Sequence, residues 1–327
     1  MAASDLLRSG RLNTQLRTAE SGERDTVELD KTESNEEREN HCQGNSELVR
    51  TRDGRYLHAM VLPGSREQAV TVIFEAGAAA SRSGWALVQP AVGQWARAVA
   101  YDRSGLGRSA IDPQPRTLRR MADDLSDVLD HFGPGPFVLV GHSAGGPIVR
   151  AAAASRPERI AGLVLVDPTD EAADLLFGRM FRLMERVAIA ANMVLARTKL
   201  MPRLYKSMTD VLPEDARRDM EREGFTVTMV RTHASQADTF IDDLYRFRAD
   251  PPALGKIPVT VISGARTGSG MNATVRAAAN ASHQYRAEQS ADGRHVIAER
   301  SGHYVPITDP AIIVEEIRRL VDRVKDS

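Results

Sequence analysis

From residue 70 onward, apolar residues come in short uninterrupted runs separated by longer amphipathic stretches. The runs are Val70–Phe74, Ala98–Tyr101, Phe137–Val140, Leu163–Val166, Val259–Ile262 and His295–Ala298. Runs this short, mostly rich in β-branched side chains, predict strands buried on both faces of a parallel sheet. Ahead of them, Val49–Thr51 and Tyr56–Val61 flank Asp53-Gly54, a pattern that predicts an antiparallel hairpin. The intervening stretches read as helices. Leu118–His131 places Met121, Leu125, Val128 and Leu129 on one face and stops at Gly133-Pro134. Ala311–Val324 turns Ile312, Ile313, Ile317, Leu320 and Val321 inward. Alternation of strand and helix predicts an α/β fold.

Two segments break the rhythm. Residues 1–46 hold no aromatic side chain and are dense in Glu, Asp, Ser, Thr and Asn between Glu20 and Asn40. Such a stretch buries too little apolar surface to offset the entropy of ordering it, so a loosely ordered tail is expected. Residues 170–249 show no strand pattern but much helical sequence. They hold Met180, Met184, Met193, Met201, Met208, Met220 and Met229, seven of the eleven methionines. This reads as a helical insertion, leaving 47–169 and 250–327 as one core domain. Methionine is an adaptable gap-filler. These side chains either mould a ligand pocket or glue the helices to one another.

Composition narrows the function classes. The 327 residues are 42% apolar and 27% charged, with 43 Lys+Arg against 44 Asp+Glu for a net charge of −1. That balance gives no support to nucleic-acid binding, which needs a basic surface. Cys42 is the single cysteine, which excludes an intrachain disulfide and a cysteine zinc cluster. No apolar run nears the ~20 residues of a membrane span, and no apolar signal-peptide core is evident. A cytoplasmic protein is the expectation. No phosphate-cradling glycine loop and no metal-ligand cluster stands out, so no cofactor and no metal are expected.

The strongest chemical signal is Gly141-His142-Ser143-Ala144-Gly145-Gly146, directly after the Phe137–Val140 run and directly before the Ala-rich stretch Ile148–Ala154. A serine in G-x-S-x-G between strand and helix sits on a strained turn, with its hydroxyl lifted off the sheet edge. The adjacent helix N-terminus favours developing negative charge.

With these motifs the chain resembles the α/β-hydrolase fold family over roughly Leu48–Val324. Phe74-Glu75-Ala76-Gly77-Ala78 stands where that family has its oxyanion turn. Tyr101-Asp102-Arg103-Ser104-Gly105-Leu106-Gly107-Arg108-Ser109 matches its strand-end turn, and Ser301-Gly302-His303-Tyr304 follows the last strand, where the family keeps its histidine. The resemblance implies a mostly parallel sheet with an N-terminal antiparallel hairpin, helices on both faces and a helical cap at 170–249. It implies Ser143 as nucleophile and His303 as general base. Of the other histidines, His142 neighbours Ser143 but is expected to point away from it.

The acid departs from the commonest family pattern, because the loop Ser263–Gly270 after the Val259–Ile262 run holds no carboxylate. A minority variant, which includes haloalkane dehalogenases, places the acid one strand earlier. That position is Asp167, with Asp170 and Glu171 as alternatives. Asp102 reads as a structural turn carboxylate. The oxyanion hole implied is the backbone N–H of Ala144 and of Ala78. Trp85 lines the pocket or belongs to the core.

The implied activity is hydrolysis of a small or medium, largely apolar carboxylic ester through an acyl-enzyme, the partner being that small molecule. Lactonase, carbon–carbon hydrolase and cofactor-free perhydrolase or haloperoxidase chemistry use the same three residues. A non-catalytic ligand-binding module on the same scaffold is the alternative of a different class.

Overall fold

The computed structural model describes residues 41–65, 70–268 and 270–325. The first forty residues, most of the expected tail, lie outside the described residues.

All six apolar runs are strands. They extend β1 (Asn45–Arg50) and β2 (Tyr56–Leu62) into an eight-stranded sheet with β3 (Thr71–Glu75), β4 (Arg97–Tyr101), β5 (Phe137–His142), β6 (Ile160–Val166), β7 (Val259–Gly264) and β8 (Gly293–Ala298). The order is β1-β2-β4-β3-β5-β6-β7-β8. β1 and β2 pair antiparallel, as do β2 and β4, and every later pair is parallel. The hairpin turns at Gly54, whose φ of +88° only glycine adopts freely. Two boundaries differ from the sequence reading. β1 starts at Asn45, so a tail ending at residue 46 runs into the sheet. β8 is the edge strand, and only Ala298 in it is buried. A continuous apolar run shows that a strand is apolar, not that it has two neighbours.

Helices cover both faces. α1 (Leu118–Phe132) and α2 (Gly145–Ser155) pack on one. There Met121, Leu125, Val128, Ile148 and Val149 meet Leu139, Leu163 and Val261 of the sheet. The Thr117 hydroxyl caps α1 by accepting the Arg120 N–H. The C-terminal helix lies on the other face, with Ile313, Ile317, Leu320 and Val321 against Val138, Val164 and Ile262. Each such aliphatic side chain contributes about 1.5–3 kcal/mol by leaving water. Trp85 joins this second cluster, is 1% exposed and packs tilted against Phe74 with ring centroids 5.0 Å apart, so it is core.

Between β6 and β7 the described chain is helical. α3 (Arg179–Arg197), α4 (Glu214–Asp219) and α5 (Val227–Ala249) are its main elements, joined by short turns. The insertion is tied to the loops at the carboxyl ends of β3 and β4. Leu106 packs with Met201, Met229 and Val230, and Ala79 lies against the same cluster. Arg82, fully buried, donates to Asp102 at 2.7 Å, to Asp219 at 2.6 Å and to Glu223 at 2.6 Å. Asp102 thus serves as a structural anchor. The methionines divide: Met201, Met220 and Met229 are buried among helices, whereas Met180 and Met184 face solvent.

Candidate active site

β5 runs out of the sheet at His142 and α2 begins three residues later, at Gly145. Ser143 sits between them with φ 53°, a left-handed conformation that a side chain adopts at a cost. Two close approaches require glycine around it. A Cβ on Gly141 would lie 2.6 Å from the Gly145 carbonyl oxygen, and one on Gly145 would lie 2.6 Å from that of Glu75. The turn is held from β6. The Ser143 N–H donates to the Val166 carbonyl at 3.0 Å, and its own carbonyl accepts the N–H of Gly146 and of Thr169, both at 3.0 Å.

Those bonds bring the end of β6 alongside the serine turn, and Asp167 with it. Asp167 is 2% exposed and has φ 40°. Its Oδ2 accepts from His303 Nδ1 at 2.7 Å. The Gly264 N–H donates to Oδ1 at 2.9 Å, and the Arg276 guanidinium meets both oxygens, at 2.5 and 3.1 Å. Burial pushes this carboxyl toward neutrality, but the bonds from His303 and Arg276 outweigh it and hold the group well below the usual carboxylate range. The alternatives are engaged elsewhere. Asp170 accepts from Arg286 at 2.7 Å, and Glu171 pairs bidentately with Arg150 at 2.7 Å.

The His142 side chain reaches the His303 loop. Its ring lies 4.9 Å from the ring of His303, and its Nε2–H donates to the His303 carbonyl at 2.9 Å. Burial, with His303 adding to it, lowers its pKa to about 3, so the ring is neutral. Adjacency to Ser143 in sequence gave no sign of this bond, which spans 161 residues. Arg276 was equally silent, since an arginine in a polar helix, here α6 (Ala273–Glu288), reads as solvated surface.

The turn after β3 is fixed through its carbonyls. Arg103, buried, reaches the Glu75 carboxylate and donates to the carbonyls of Ala76 at 2.5 Å and Gly77 at 2.6 Å. Tyr101 holds the same carboxylate. Gly77 lies so close that a Cβ on it would stand 3.3 Å from Ser143 Cβ. Among the described residues, no backbone acceptor takes the N–H of Ala78 or of Ala144.

Comparisons with known proteins agree with this architecture. Residues 72–316, well over half of the chain, match the model of the "Alpha/beta hydrolase family". A protein of Caulobacter sp. (strain K31) carrying the name carbamate hydrolase RutD is 38% identical over 118 residues, 36% of this chain and 43% of the relative. Lipase LipV of Mycobacterium tuberculosis (strain ATCC 25618 / H37Rv) is 45% identical over 69 residues, 21% of this chain and 26% of the lipase. These alignments therefore span less than half of either curated relative. The solved structure of epoxide hydrolase CorEH superposes with a TM-score of 0.66 over 86% of this chain and 99% of its own, at 18% identity, a likeness of fold. The chain belongs to the alpha/beta hydrolase family.

Proposed function

We propose that the protein is a serine hydrolase that cleaves a small or medium, largely apolar carboxylic ester through an acyl-enzyme. The observation that carries this reading is the 2.7 Å bond from His303 Nδ1 to Asp167, beside a serine on a strained strand-to-helix turn. With Nδ1 committed to the carboxylate, Nε2 is the nitrogen left to take the Ser143 proton. Ser143 Oγ then attacks the ester carbonyl. The N–H groups of Ala78 and Ala144 hold the oxyanion, each worth roughly 3 kcal/mol. His303 returns the proton to the leaving alcohol, and water attacks the acyl-enzyme by the same route. Asp167 stays ionised and stabilises the imidazolium.

In this reading residues 170–249 form a cap over the serine. The apolar character of the substrate is supported by Leu106, Met201, Met229 and Val230, which pack beside Ala79 of the oxyanion turn. A cytoplasmic location remains part of the proposal. Among the described residues no helix is long and apolar enough to cross a membrane.

A second reading, hydrolysis of a carbamate, is favoured by the 38% identity to the protein named carbamate hydrolase. It uses the same residues: the alcohol leaves first to give a carbamoyl-enzyme, and water releases carbamic acid, which loses carbon dioxide to give the amine. Turnover of p-nitrophenyl butyrate beside a matched carbamate separates the two. Turnover should vanish in Ser143→Ala, and a fluorophosphonate probe should label Ser143. Labelling at another residue in an active preparation would overturn the mechanism.

A further inference from the structure

The outer face of α3 carries a run of exposed apolar side chains. Met180, Leu183, Met184, Val187 and Val194 are each between 56% and 67% exposed. They recur at three-, four- and seven-residue spacing, so they form one stripe along a 19-residue helix, about 28 Å long. This stripe is not the one that holds the helix in place. Its opposite side, through Ile189, Met193 and Ala196, packs against Leu106, Met201, Met229 and Val230.

The stripe has a charged border. Residues 179–206 hold seven basic side chains and one acidic, Glu185, a local net charge of +6 in a chain whose total is −1. Arg182 pairs with Asp242 and Lys206 with Asp210. The other five, Arg179, Arg186, Arg197, Lys199 and Arg203, are exposed, and their side chains make no hydrogen bond or ion pair among the described residues. Arg179, Arg186 and Arg197 recur at seven and eleven residues and so form a row beside the apolar stripe.

We infer that α3 is an interfacial helix that seats the protein on an anionic lipid surface. An exposed apolar stripe bordered by arginine is the pattern of a helix lying in the headgroup plane, its stripe among the acyl chains and its cations on the phosphates. Charge decides the occupant. A second copy placed on this face by two-fold symmetry would bring the same cationic patch of each copy together, with the arginine rows directly opposed when the helices run antiparallel, a like-charge contact in the region where apolar burial removes water. Anionic headgroups neutralise that row. The near-zero total charge conceals the patch, because acids elsewhere in the chain cancel it. The inference rests on the surface of α3 alone and is independent of the chemistry at Ser143.

Co-sedimentation of the full chain with vesicles of equal parts phosphatidylglycerol and phosphatidylcholine tests it, with pure phosphatidylcholine vesicles beside them. The expected result is binding to the mixed vesicles at low salt, little to the neutral ones, and loss of binding as salt rises. Each of Arg179→Gln, Arg186→Gln and Arg197→Gln should weaken binding by about fivefold. Leu183→Glu with Val187→Glu should abolish it while the circular dichroism of the protein is unchanged, since both sites are exposed. Equal binding by that double variant overturns the inference, as does failure of the parent to bind mixed vesicles at low salt. So does a dimer in solution that the double variant splits into monomers, since a second copy would then occupy the face.

Discussion

His142 donates a hydrogen bond through Nε2 to the main-chain oxygen of His303, at 2.9 Å. The residue before the serine therefore fixes the loop that carries the second histidine. His142→Ala should leave the His303 loop free to drift. A displacement of about 1 Å at a reacting group costs on the order of 10²-fold in rate. The expectation is a fall of that size in kcat, with KM altered much less, in steady-state hydrolysis of a p-nitrophenyl ester. An unchanged kcat would assign His142 to packing only.

The same ring gives a pH dependence of stability. In the unfolded chain it takes a proton as pH falls through about 6.5. In the folded protein, with its pKa lowered to about 3, it remains neutral. The unfolded state binds more protons throughout that window. Stability is therefore greatest above the unfolded value and falls as pH drops, by at most about 1.4 kcal/mol per pH unit from this group. Urea midpoints between about pH 7 and pH 5 should decline, and His142→Gln should flatten the slope.

Asp167→Asn preserves shape but presents an amide where His303 Nδ1 needs an acceptor. On the proposed mechanism kcat should fall by ~10⁴, the loss known for the equivalent change in a serine protease. Asp170→Asn should cost far less activity, because that carboxylate faces Arg286 and Arg150. Similar losses in the two variants, measured side by side, would dissolve the assignment of the acid.

Arg276 and Asp167 form a buried pair, with side chains 5% and 1% exposed. Arg276→Met leaves the carboxylate with hydrogen bonds from His303 and the Gly264 N–H and with His283 Nδ1 at 3.9 Å. Removing one member of such a pair costs about 3–5 kcal/mol. A urea-unfolding midpoint should drop accordingly, and Arg276→Lys should recover part of it. Activity should suffer less than in Asp167→Asn, because the bond to His303 survives. A midpoint that does not move would show the pair to be dispensable.

At the N-terminus the described residues begin with working contacts. Gln43 is fully buried and donates to Gln89 at 2.7 Å and to the Arg82 carbonyl at 3.1 Å. The Cys42 N–H donates to Asp215 at 2.6 Å. A chain starting at Asn45 should therefore melt several degrees below one starting at His41. Equal melting temperatures in a calorimetric comparison would mean that these bonds add nothing net.

Strands β3 to β7 were legible because Leu163–Val166 and its counterparts there are apolar without alternation, as a sheet covered on both faces requires; the edge strand β8 carries a similar run without that cover. Ser143 and His303 were legible because their neighbours are forced, glycines by close approach and Gly302-His303 by position after the last strand. Asp167 could be read only by noticing that the next loop had no carboxylate. Arg276, Arg103 and His142 escaped, since each acts through a long-range bond from a residue whose local context is ordinary. The arginine row on α3 escaped for another reason. Counting charge over a whole chain averages away any segregation on one helix.

With Asp167 at the end of β6, the loop after β7 carries no reacting group on the proposed mechanism. Its root is fixed, because the N–H groups of Ala265 and Arg266 bond to the Ser301 carbonyl. Its tip, Thr267 to Gly270, projects into solvent where it is described. Gly268 and Met271 close its base with two backbone hydrogen bonds of 2.9 Å, and Met271 accepts from Arg276, so only the exposed side chains within that bridge can change without touching the residues around Asp167. On the proposed mechanism, a carboxylate at the end of β6 thus relieves the following loop of the demand to present a charged side chain to His303.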